Sequence, residues 1–165
     1  MKNIRENTNK NEKKKDDYLK ITNLEKESIV MKFYRKERDY WIQGKEKRAK
    51  IYWRLIYLLF NCSIPPTTDL AESVNIAHGI GIVIHQNSKI GKGTKIYQNV
   101  TIGGGDGPVI GSNCVIYAGA CILGDIVIGD NCVIGANAVV TKDVPEGATV
   151  VGVPGKIIKI NGKRV

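Results

Sequence analysis

From Ile64 to Val140 an aliphatic residue returns at every sixth position, a rhythm that neither a helix nor an alternating strand produces. The series runs Ile64, Leu70, Ile76, then Ile84, Ile90, Ile96, Ile102, then Ile110, Ile116, Ile122, Ile128, Ile134 and Val140. Two steps, Ile76 to Ile84 and Ile102 to Ile110, are longer and each hold a two-residue insertion. Two places before most of these aliphatics stands a small or β-branched residue: Ser88, Thr94, Val100, Cys114, Ala120, Ile126, Cys132 and Ala138. A hexad of this kind builds a parallel β-helix, in which three hexads, about 18 residues, close one triangular coil. The long aliphatic then points into the lumen and the small residue fills the corner beside it. Glycines follow several aliphatics (Gly91, Gly103, Gly111, Gly129, Gly135), as expected if the turns between short strands require positive φ. The hexads are expected to stop near Val140, where Lys142-Asp143-Val144-Pro145 breaks the step. Ile157, Ile158 and Ile160 would form a closing strand.

The remainder of the chain is organised around that coil. Of the 25 Lys and Arg residues, 17 lie in the first sixty positions against 9 Asp and Glu, so the net charge of +9 belongs almost wholly to the N-terminal segment. Residues 1–17 are Lys/Asn/Glu-rich and are expected to be a disordered basic tail. Residues 18–61 read as a helical N-terminal cap, and 62–165 as the coil domain with its C-terminal extension. The second helix carries an apolar stripe from Ile51 to Phe60, too wide to stay in water, which is expected to cover the open top of the coil. The alternative for its basic flank (Lys45, Lys47, Arg48, Lys50, Arg54) is peripheral contact with an anionic membrane or substrate. No run of 18 apolar residues spans a membrane, residues 1–17 lack the apolar core expected of a signal peptide, and no recognition motif points to nucleic acid. A cytoplasmic protein is expected. Cys62, Cys114, Cys121 and Cys132 have no metal-ligand spacing; Cys114 and Cys132, 18 apart and so stacked on successive coils, are read as lumen thiols kept reduced, with a disulfide between them as the alternative. No metal is expected.

Three stretches narrow the reading: Ala77-His78-Gly79-Ile80-Gly81-Ile82-Val83-Ile84, Gln98-Asn99-Val100-Thr101-Ile102-Gly103-Gly104, and Gly152-Val153-Pro154-Gly155-Lys156. Over roughly residues 62–160 the chain resembles the hexapeptide-repeat acyltransferases, and within them the serine acetyltransferases and the O-acetyltransferases of polysaccharide synthesis. The resemblance implies a left-handed β-helix, a homotrimer, and acetyl-CoA lying in the groove between neighbouring subunits. It implies that His78, on the first insertion, is the general base, and that Gly104 in the second, glycine-rich insertion offers backbone N–H groups to the thioester oxyanion beside Gly105. It further implies that Ala118 and Ala136 line the pantetheine groove. Lys142 and Lys156 are candidates for the nucleotide phosphates. An imidazole titrates near neutrality and can take a proton from an attacking hydroxyl. His85, after a lumen aliphatic, is expected to face outward as a surface or subunit-contact residue.

The departures bear on the acceptor. Ala77 stands where the serine enzymes have an aspartate, and Ser63 where they have the aspartate that orients the histidine. The second insertion is short and lacks their Arg-His pair. These changes predict a neutral acceptor, a sugar hydroxyl in capsule or exopolysaccharide synthesis. A serine O-acetyltransferase is the alternative within the family, and a non-catalytic binding or structural β-helix the alternative outside it.

Overall fold

The structure is a computed structural model that describes residues 27–165. The expectations for residues 1–17, and for the first part of the helical segment, lie outside the described residues. The chain opens with α1 (Ile29–Ile42), turns at Gly44, and continues into α2 (Glu46–Phe60). Ser28 starts α1 by accepting a hydrogen bond from the Met31 amide through its hydroxyl. Asn61, in the left-handed conformation, ends α2 just before Pro65 and Pro66.

Strands of two to four residues then stack into three parallel faces. The first holds β3 (Val83–Ile84), β6 (Thr101–Gly103), β9 (Cys121–Leu123) and β12 (Val139–Val140). The second holds β1 (Asp69–Leu70), β4 (Lys89–Ile90), β7 (Val109–Ile110) and β10 (Val127–Ile128). The third holds β2 (Asn75–Ile76), β5 (Lys95–Ile96), β8 (Val115–Ile116), β11 (Val133–Ile134) and β13 (Ala148–Val151). From Leu70 on, each hexad aliphatic pairs with its counterpart in a neighbouring coil, as Ile76 with Ile96 and Ile96 with Ile116. All of them are buried, so the lumen is one continuous apolar column. Burial pushes the Cys114 thiol up to about 11, and it donates to the Gly129 carbonyl; Cys132 donates to that of Pro145. The four cysteines are free thiols.

Three expectations need correction. The coil does not stop at Val140. After one short step of four residues Val144 enters the lumen column of the second face, bridging Ile128, and Val150 continues the third. The chain then reverses, with β14 (Lys156–Ile160) and β15 (Lys163–Arg164) added antiparallel to β13.

The glycines after the aliphatics do not serve a positive φ. Gly91, Gly103, Gly111, Gly129 and Gly135 have ordinary φ, whereas the left-handed residues come two places later, at Gly93, Gly105, Asn113, Asn131 and Asn137. What Gly91 provides is room: a Cβ there would lie 2.6 Å from the Gly111 carbonyl carbon of the next coil. Close stacking, not turn geometry, selects glycine there.

The third correction concerns the helices. It is α1 that lies on the open end, through Val30, Met31, Tyr34 and Glu37. Tyr34 donates its hydroxyl to the Thr68 carbonyl at 2.5 Å, and Arg35 donates to the carbonyls of Leu70, Ala71 and Glu72. Those carbonyls belong to the first coil, which has no coil above it, although that of Ala71 also accepts from the Val74 amide. The helix α2 packs on α1 by aromatic contacts (Phe33 with Tyr52 and Phe60, Tyr40 with Tyr52) and by Ala49 and Ile56. Its outer stripe stays in solvent, with Leu58 76% and Leu59 61% exposed.

Candidate functional site

The register assigns each candidate residue to an edge of the coil. On the edge where the third face turns into the first, the position two after the lumen aliphatic is occupied by His78, Gln98, Ala118 and Ala136. On the edge where the first face turns into the second, it is occupied by Gln86, Gly104, Gly124 and Lys142. The candidates therefore form two columns that flank the first face. His78 and Gly104 lie at its opposite edges, about five extended residues or roughly 16 Å apart. One chain brings His78 together with Ala118 and Ala136, and Gly104 together with Gly105 and Lys142, but does not bring the two sets together.

His78 sits on the first insertion between β2 and β3, exposed, with φ +66°. Gly79 beside it lies against Val30 of α1, where a Cβ would meet the valine side chain at 2.6 Å. The helix thus fixes the turn that projects the imidazole. Its ring neighbour is Tyr97, 6.1 Å away between centroids, and Tyr97 stacks on Tyr117 at 5.3 Å. This tyrosine pair was not singled out in the sequence; the spacing of Tyr97 and Tyr117 after consecutive lumen isoleucines is the signal that places them in one column. Among the described residues neither the His78 imidazole nor the Ser63 hydroxyl has a hydrogen-bond partner within the chain. Ser63 instead joins the first face through its backbone, its N–H donating to Ile82 and its carbonyl accepting from Ile84.

The glycine-rich insertion is a tied turn. Gly107 donates to the Gly104 carbonyl at 3.0 Å, and Gly124 donates to that of Gly103 at 2.9 Å. The Asp106 amide donates to the Asp125 carboxylate, which also lies against Gly105 and leaves no space for a Cβ there. Asp125 is a second residue that sequence reasoning missed, because nothing in the hexads predicts a side chain reaching one coil back. Gly104 has φ +88° and is exposed, so its amide is held in place with no side chain covering it. His85 was expected on the surface. It is half-buried against Gly103 and Gly107, and its Nδ1 accepts a hydrogen bond from the Asn87 amide.

Lys142 and Lys156, far apart in sequence, line one recess of about 430 Å³ with Thr141, Asp143, Pro154 and Gly155. Above Gly104 on the same edge, Gln86 lines a cavity of about 480 Å³ beneath α2, and Ser63 lines an apolar recess with Trp53, Arg54, Tyr57 and Leu58.

Residues 107–142 match the family described as bacterial transferase hexapeptide (six repeats). The serine acetyltransferase of Staphylococcus xylosus is 44% identical over 123 residues, 71% of this chain and 57% of that protein. That of Staphylococcus aureus strain Mu50 is 45% identical over 129 residues, 74% of this chain and 61% of that protein. A solved serine acetyltransferase in complex with CoA superimposes with a TM-score of 0.73 at 35% identity, over 78% of this chain and 55% of that one. The Neisseria gonorrhoeae serine acetyltransferase in complex with serine gives 0.74 at 32% identity, over 79% and 55%. The chain thus spans between half and two thirds of the length of each of these four relatives.

Proposed function

The chain belongs to the hexapeptide-repeat acyltransferases, as a left-handed parallel β-helix, and from this premise we propose that it is an acetyl-CoA-dependent O-acetyltransferase with L-serine as acceptor. The observation that carries the reaction type is the exposed His78, held on a bulged turn in one column with the small residues Ala118 and Ala136. The relatives at 44–45% identity, serine acetyltransferases, favour serine over the sugar acceptor expected from Ala77 and Ser63.

The site is completed between copies in a homotrimer. The edge of one subunit carrying His78, Ala118 and Ala136 faces the Gly104 edge of its neighbour, which accounts for the separation of the two columns in one chain. The pantetheine arm lies in the groove between them, and Lys142 and Lys156 hold the nucleotide phosphates. His78 takes the proton of the acceptor hydroxyl as its oxygen attacks the acetyl carbonyl. The oxyanion that forms accepts a hydrogen bond from the Gly104 amide, which is fixed beforehand. The C–S bond then breaks, the thiolate of CoA leaves with the proton returned by His78, and the acetyl ester is released.

A second reading, a neutral hydroxyl acceptor, is favoured by one observation: the described residues place no carboxylate in hydrogen bond with His78, and Ser63 brings no charge. The test is thiol release from acetyl-CoA with L-serine and, in parallel, free and phosphorylated sugars. Turnover with serine supports the first reading. Turnover with a sugar alone replaces it by the second, and no thiol release with any acceptor removes the transferase reading.

A further inference from the structure

The residue after each lumen isoleucine of the third face is Ala77, Tyr97, Tyr117 and Gly135 in successive coils. Tyr97 and Tyr117 therefore stand beside the column that carries the proposed base and the small groove residues. Their backbones are tied into the ladder: the Ala77 amide donates to Ile96, that of Tyr97 to Ile116 and that of Tyr117 to Ile134, at 2.8–3.0 Å. A coil spacing of about 4.8 Å sets the rings one above the other. Tyr97 and Tyr117 lie 5.3 Å apart, 13° from parallel. The Lys95 ammonium lies 5.3 Å from the centre of the same Tyr97 ring, a cation–π contact. Tyr97 is thus held by two neighbours of its own chain.

The imidazole of His78 continues this stack. Its centre lies 6.1 Å from that of Tyr97 at an interplanar angle of 47°, a separation at which aromatic pairs attract. Ala77 stands above Tyr97 in the register with only a methyl group, which leaves room there for the side chain of the next residue. A base must be held in one orientation to take a proton from an attacking hydroxyl, and a carboxylate on the second ring nitrogen is a common device. Among the described residues no carboxylate bonds His78, and Ser63 joins the ladder through its backbone. The contact of Val30 with Gly79 fixes the turn but not the ring. What the exposed ring does have is one aromatic wall, Tyr97, braced from the coil below.

We propose that Tyr97, braced by Tyr117 and Lys95, is a positioning residue that orients the His78 imidazole for proton transfer, in the place a carboxylate would fill. The role rests on the O-acetyltransferase reading; the ring contact does not. The experiment compares the full chain with Tyr97→Phe and Tyr97→Leu by thiol release from acetyl-CoA with L-serine, by CoA affinity, and by the NMR ring-proton signals of His78. The chain has two histidines, so His78→Ala assigns those signals by their loss. Tyr97→Leu should lower kcat by about tenfold, with the KM for serine and the CoA affinity within about twofold of the parent. Tyr97→Phe keeps the aromatic face and should hold kcat within about twofold. The His78 signals should stay in place in Tyr97→Phe and move in Tyr97→Leu, where the ring current is lost. Should Tyr97→Leu not fold, Tyr117→Leu removes only the brace, and should move the same signals and lower kcat about threefold. Unmoved signals overturn the contact. An unchanged kcat in Tyr97→Leu overturns the role, as does a raised KM at unchanged kcat, which makes Tyr97 a binding residue. A Tyr97→Phe variant as slow as Tyr97→Leu overturns the aromatic basis in favour of the hydroxyl. A parent that releases no thiol with any acceptor removes the transferase reading and the role with it, and the His78 signals still decide the contact.

Discussion

Gly91 lies so close to the neighbouring coil that even a methyl group would meet backbone atoms of Gly111 and Ser112 at 2.6–2.8 Å. Backbone held by ladder hydrogen bonds on both sides does not move aside cheaply. Gly91→Ala should therefore cost about 1–3 kcal/mol, read as a lower urea midpoint at unchanged m-value. A variant as stable as the parent would mean that the coils slide freely on one another. The reason for this glycine could not be read from sequence, since a turn glycine and a contact glycine look alike until the register of the next coil is known. The lumen residues were legible, because a six-residue period has one structural solution. His78 is a case between the two. Its place on an insertion was legible; the column it shares with Ala118 and Ala136 follows only from the pairing of Ile76, Ile96, Ile116 and Ile134. His78→Ala should lower kcat by about 10²–10⁴-fold while leaving CoA affinity within a factor of about two. Loss of CoA binding instead would make it a binding residue.

At the scale of elements, α1 carries a conflict of interest. Glu37 lies fully buried on the same face as Tyr34, with no hydrogen bond to either carboxylate oxygen, and burial pushes its carboxyl up to about 8 from an ordinary 4.5. Between those values the folded helix holds a proton that the unfolded chain releases. Folding stability from this group must then fall as pH rises from about 4.5 to 8, by at most ~1.4 kcal/mol for each unit. Thermal melts of Glu37→Gln should show a shallower pH dependence through this window and a higher Tm at pH 8. Parallel curves for the two proteins would mean that the carboxylate finds water. Arg35 acts in the opposite sense, since its guanidinium satisfies three carbonyls of the first coil. Arg35→Ala should speed amide hydrogen exchange in β1, β2 and α1 before it affects β8 or β11, because a solenoid loosens from its ends. The sequence pointed to α2 as the cover, misled by its greater hydrophobicity. The geometry of the end decides otherwise: a bare coil offers carbonyls, and the arginines that reach them are on α1.

For the whole molecule, the two columns that flank the first face make a prediction about mixing. If His78 of one copy works with Gly104 of the next, then His78→Ala and Gly104→Val chains, each inactive alone, should regain activity when refolded together. Random assembly at equal ratio leaves roughly a quarter of the interfaces with both residues intact, so about a quarter of the parent rate is expected. No recovery after co-refolding would place both residues in one chain's site. The two ends of the coil have a consequence of another kind. A stack of parallel strands is in principle a crystal in one dimension, able to accept another molecule at either end and grow without limit. Here the top carbonyls are already taken by Arg35, and at the bottom β14 runs against the direction that every coil below it would have to follow. An added coil would find the wrong polarity. The reversal after Val151 is what keeps a repeating sequence from becoming a repeating polymer.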